Sequence, residues 1–183
     1  MKFIHLYIKL VNSLNEFLGR TVAWLTTFLV LVVCFDVLRR YFFKSTSVAI
    51  IELEWYIFSL VFLLGAGYAL KHDQHVRVDV FYNRMSEKNK AWINLLGTIF
   101  FLIPFCIVSL YASYKFTAYS FQLNEFSPNP GGLPATYLIK AAIPIGFIFL
   151  LLQGTVLLLS SFLVIIGQKL TVFENLKGEH SNA

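Results

Sequence analysis

Four long apolar runs, each nearly free of charge, constrain this chain more than any other feature; they fall at about residues 21–38, 49–70, 91–111 and 135–166. A helix needs roughly 20 apolar residues to cross a hydrocarbon layer of about 30 Å. At 1.5 Å per residue, the stretch from Arg20 to Arg39 rises about 28 Å. The 183 residues are 57% hydrophobic and 14% charged, whereas a soluble domain carries about a quarter charged residues. An ordinary soluble enzyme, a disordered chain and a disulfide-stapled secreted module are excluded. The expected fold is all-α: a polytopic membrane protein with four long transmembrane helices in a single membrane domain, residues 1–183. Cys34 and Cys106 lie inside apolar runs, far apart and without His or Cys at ligand spacing, and read as small hydrophobes.

Residues 1–20 lack the cleavage site of a signal peptide. Phe3, Tyr7, Leu10, Leu14 and Phe17 recur at helical steps, opposite His5, Lys9, Asn12, Glu16 and Arg20. This predicts an N-terminal amphipathic helix, lying either in the membrane interface or as the wet end of one long first helix. Trp55 and Tyr56 are interfacial anchors for the second span, where Gly65 and Ala69, four apart, permit close helix approach. Ser86 is positioned to cap the third. The fourth, at about 48 Å, must tilt, bend or project. Pro104 and Pro144 predict kinks, because each frees the carbonyl four residues earlier, those of Phe100 and Lys140. Residues 167–183 form a terminal tail.

The formal charge of +5 arises from 15 Lys and Arg placed between the apolar blocks, a membrane-flanking pattern and not a nucleic-acid stripe. With four spans, one face holds Lys2, Lys9, Arg20, Lys71, Arg77, Arg84, Lys88, Lys90, Lys169 and Lys177. The other holds Arg39, Arg40, Lys44, Lys115 and Lys140. Ten against five puts both termini in the cytoplasm.

Ionisable groups at bilayer depth mark proton relays and substrate paths, and the middle of every span lacks them. Asp36 stands three and four residues before Arg39 and Arg40, at helical pairing distance. Glu52 and Glu54, near the start of span two, are placed to pair with Arg39 or Arg40 across a short turn or to face the helix dipole. His5, His72, His75 and His180 lie outside the spans, so a haem bundle has no axial ligands. No phosphate-binding Gly-rich loop, H-E-x-x-H or G-x-S-x-G is present. These absences predict no enzyme and no cofactor, catalytic or metal residue. Gln153, deep in span four, predicts a helix-to-helix hydrogen bond. Lys140 reads either as a snorkelling contact to a lipid headgroup or as a pair with a partner protein.

Two loops are distinctive. Residues 71–81 alternate polar residues with Val76, Val78 and Val80, as an extended segment would. Ser127-Pro128-Asn129-Pro130-Gly131-Gly132-Leu133-Pro134 is a rigid turn cluster leading into span four, suited either to docking or simply to starting a helix.

In order along the chain come Asp36-Val37-Leu38-Arg39-Arg40-Tyr41-Phe42-Phe43, residues 52–56, Leu64-Gly65-Ala66-Gly67-Tyr68-Ala69-Leu70, His75-Val76-Arg77-Val78-Asp79, residues 127–134, Tyr137-Leu138-Ile139-Lys140-Ala141-Ala142-Ile143-Pro144 and Gln153-Gly154. In this order and spacing the chain resembles the small membrane subunit (DctQ type) of tripartite ATP-independent periplasmic (TRAP) transporters, over roughly residues 15–165. The resemblance implies a large membrane subunit that carries substrate and sodium sites and moves as an elevator, and a periplasmic substrate-binding protein that docks outside. The small subunit would brace the static part, among membrane lipids and without nucleic acid. On that reading spans one, two and four, with Gln153, face the large subunit, and Gly131 and Gly132 shape the loop that receives the binding protein. A self-sufficient four-helix channel or carrier, and an accessory membrane protein without a transport partner, are the competing classes.

Overall fold

The computed structural model describes residues 2–72 and 85–167, and these are helical apart from short turns and one loop. Four helices are long and apolar enough to cross a membrane. They are α1 (Lys2–Phe43), α2 (Val48–Lys71), α3 (Glu87–Gln122) and α4 (Thr136–Ile165). The turn between α1 and α2 and the 123–135 loop share one end of the bundle, here the hairpin end. The α1 N-terminus and the α4 C-terminus share the other.

The stretch expected to be amphipathic runs into the first span without a break, giving one 42-residue helix of about 63 Å. No separate interfacial helix precedes it among the described residues. The buried stripe is Ile8, Val11, Asn15, Gly19 and Val22, while Phe3, Leu10, Leu14 and Phe17 are exposed. The inward stripe is therefore mostly apolar with Asn15 within it, while a second apolar face, that of Phe3, Leu10, Leu14 and Phe17, is left outside the bundle.

α4 is the hub. It packs against α1, α2 and α3, and holds more buried residues than any other helix, including Ala142, Leu150, Val156 and Leu163. Ile8 and Val11 of α1 meet Val156 and Leu163. Leu70 and Cys106 meet Leu150. Close approach depends on glycine, though not chiefly on Gly65, whose Cβ would make only ordinary contact with Val22 at 3.6 Å. A Cβ on Gly146 would come within 2.7 Å of the Leu63 carbonyl oxygen. Such backbone contact between helices is typical of membrane bundles.

Both prolines disturb their helices, each in its own way. Before Pro104 the turn widens into a π segment, Thr98–Leu102, in which the Ile103 N–H reaches back to the Thr98 carbonyl. The wider register accommodates a residue that cannot donate. Pro144 sits inside an unbroken α4, and the Lys140 carbonyl that it frees accepts a hydrogen bond from the Thr117 hydroxyl of α3 at 3.0 Å. A neighbouring helix thus supplies the missing donor, as burial away from water requires. Ser86 caps α3, accepting from the Asn89 N–H. The 71–81 alternation, beyond Lys71 and His72, and the 167–183 tail, beyond Gly167, lie outside the described residues.

Candidate functional site

At the hairpin end, Asp36 is almost fully buried and pairs with Arg40 one turn later, Arg40 Nε donating at 2.6 Å. Arg39 donates to Ser45 Oγ at 3.2 Å and lies over the Phe35 ring. Among the described residues, nothing hydrogen-bonds the buried Asp36 Oδ1 and Glu54 Oε1.

Glu52 does not meet either arginine. The rigid loop folds over it instead: its carboxylate accepts from the Ser127 hydroxyl, from Asn129 Nδ2 at 3.1 Å and from the Leu133 N–H at 2.6 Å. Gly132 has no room for a side chain, since a Cβ would meet Ser127 and lie 2.8 Å from Glu52 Oε1. Gly131, with φ +78°, has open space around it. The two glycines therefore do different work, Gly132 in packing and Gly131 in the turn.

A second carboxylate closes the base of the loop. Glu125 accepts from Lys140 Nζ and from the Ser120 hydroxyl, each at 2.5 Å, and its backbone carbonyl receives the N–H and hydroxyl of Thr136. The hydrogen bonds from Lys140 and Ser120 hold the Glu125 carboxyl below its ordinary pKa. The Lys140 ammonium also lies 4.2 Å from the Phe116 ring centre, so it already has two partners within the chain.

Deeper in the bundle, Gln153 is taken up internally. Its Nε2 donates to Asn12 Oδ1 at 3.1 Å, and its Oε1 accepts from Asn15 Nδ2 at 3.0 Å. The helix-to-helix bond foreseen for Gln153 is present. The side chain is only 4% exposed, with both of its amide partners on α1 of the same chain. At the terminal end, Glu16 accepts from Lys71 at 2.5 Å, lies 3.1 Å from His72 Nε2 and pairs with Arg20 at 3.5 Å. Asn12, Asn15, Glu125, Ser127 and Asn129 were not singled out as site residues. Asn15 carried a signal, a second amide three residues from Asn12 on the same helical stretch.

Among the described residues, no three His, Cys, Asp or Glu side chains gather as a metal site. The polar groups form internal clamps joining α1 to α4, α1 to α2, and the loop to α2 and α4. Such a molecule is a multi-pass helical membrane protein whose chemistry lies in holding its own helices and one loop in fixed relation.

Comparison with known proteins is consistent with this class. Residues 29–164 match the family described as tripartite ATP-independent periplasmic transporters, DctQ component. The chain belongs to that family, one of transporter subunits and not of enzymes. It is also similar to the sialic acid TRAP transporter permease protein SiaT of Haemophilus influenzae (strain 86-028NP), with 29% identity over 141 residues. The match covers 75% of this chain and 21% of that protein, so the chain spans about a fifth of the relative's length.

Proposed function

We propose that this chain is the small membrane subunit of a sodium-coupled TRAP transporter for organic acids. It sits in the bacterial inner membrane with both termini in the cytoplasm, packs stably beside the large membrane subunit and enlarges the part that does not move. Its hairpin end then faces the periplasm, where the 127–134 loop helps receive the substrate-binding protein.

The observation that carries this reading is the fate of the polar groups. The deep amides bond across α1 and α4, and the charged groups pair near the helix ends, a pattern that suits a brace better than a conduit. Support for a large membrane partner comes from the relative, a permease of which the shared stretch makes up 21%. Sialic acid is itself a carboxylated sugar, which supports the organic-acid class. Exposed aromatic side chains along α1 and α3, among them Trp24, Phe28, Phe101 and Tyr114, leave wide apolar surface for lipid and for that partner.

A tag on this chain, with gentle extraction from native membranes, tests the assignment. A larger, strongly apolar membrane protein should co-purify in fixed ratio. A chain recovered alone under conditions that preserve other membrane complexes would contradict it.

A further inference from the structure

Glu52 stands one turn into α2, is only 8% exposed, and meets no cation among the described residues. A buried carboxylate is costly unless hydrogen bonds replace its water. Here every replacement comes from one loop. Ser127 and Asn129 donate to Oε1 and the Leu133 N–H donates to Oε2, so both oxygens are engaged from both arms of the turn. The loop also closes on itself around the same group. The Asn129 N–H reaches Ser127 Oγ at 3.2 Å, the Gly132 N–H reaches the Asn129 carbonyl at 3.0 Å, and the Ser127 N–H reaches the Leu133 carbonyl at 3.3 Å. What is left facing outward is Pro128, Asn129, Pro130 and Gly131.

We propose that Glu52 is the positioning residue of the docking surface: it is the post around which residues 127–133 are wound, so that α2 sets the shape offered to a folded protein partner. The proposal rests on reading this loop as the receiving site for the periplasmic binding protein. A loop already held in its bound shape loses less freedom on binding, and affinity rises accordingly. The carboxylate is needed because all three groups are donors. In Glu52→Gln an amide N–H turned toward Leu133 confronts a backbone donor that cannot reverse. One turned toward Ser127 and Asn129 forces the hydroxyl to rotate and the Asn129 amide to flip, so the winding of the loop changes either way.

The test uses the assembled membrane complex in nanodiscs, with Glu52→Gln, Ser127→Ala and Asn129→Ala variants. Backbone hydrogen exchange in residues 127–133 and affinity for the purified binding protein are measured side by side. Loss of a charge-assisted bond predicts that Glu52→Gln speeds Leu133 exchange by about tenfold or more. Affinity for the binding protein should fall by a similar factor while the two membrane subunits still co-purify. The alanine variants, which keep the carboxylate, should show smaller changes in the same direction, and they carry the comparison if Glu52→Gln does not assemble. Unchanged exchange in the variants would overturn the anchor itself. Faster exchange with undiminished affinity would leave the anchor standing and overturn the docking reading on which the proposal rests.

Discussion

Gly146 lies where α4 meets the backbone of α2, and even a methyl group there should push the two helices apart. A Cβ at this position would be 2.7 Å from the Leu63 carbonyl oxygen and 3.1 Å from both its carbonyl carbon and its Cβ. Ordinary contact begins at 3.4 Å, so the seam must open by about 0.7 Å. The obstacle is helix backbone and cannot rotate away. Interiors packed near crystal density do not absorb such a shift locally, and overpacking of this kind costs about 1–3 kcal/mol. Gly146→Ala should therefore lower the unfolding free energy in mixed micelles, followed by circular dichroism, by about that amount. Gly97→Ala is the internal control, because a Cβ there meets nothing within 4 Å and alanine is the better helix former. A Gly146→Ala protein as stable as the parent, or a Gly97→Ala protein equally weakened, would refute the close seam.

Other consequences can be measured in the same preparation. Gln153→Leu removes two interhelical bonds of about 0.6 kcal/mol each, so a loss of about 1 kcal/mol is expected, with Asn12 and Asn15 left short of a partner. Ala135 holds a left-handed conformation, φ +60°, directly before α4. Ala135→Gly should therefore stabilise the protein by about 1 kcal/mol in the same unfolding assay. Because folding lowers the Glu125 pKa, the clasp with Lys140 is complete above the ordinary carboxylate pKa of 4.5 and is lost as pH falls through the depressed value. Lys140→Met should move the Glu125 carboxyl titration, followed by infrared spectroscopy, back toward that ordinary value.

The spans were legible because crossing a bilayer demands an apolar run of set length, and all four appear where hydropathy places them. Local pairs were legible too, since Asp36 and Arg40 are one helical turn apart. So was the freed Lys140 carbonyl, because a proline's effect is written into its own neighbourhood. Its donor, Thr117, was not, lying 23 residues away on another helix. Glu52 shows the same limit: an acid beside two nearby arginines invites pairing, yet its partners come from a loop 75 to 81 residues later. The N-terminal stretch runs on as one long first helix, one of the two arrangements its pattern allowed. That Asn12 and Glu16 meet Gln153 and Lys71 was not legible, because those partners stand on other helices far along the chain.

The claim that this chain braces a transporter without conducting is tested most directly by solute flux into liposomes. Vesicles holding the purified chain alone should take up no organic acid under a sodium gradient. Vesicles holding it with the co-purified large subunit and loaded binding protein should do so. Robust, saturable uptake by the chain alone would contradict the account.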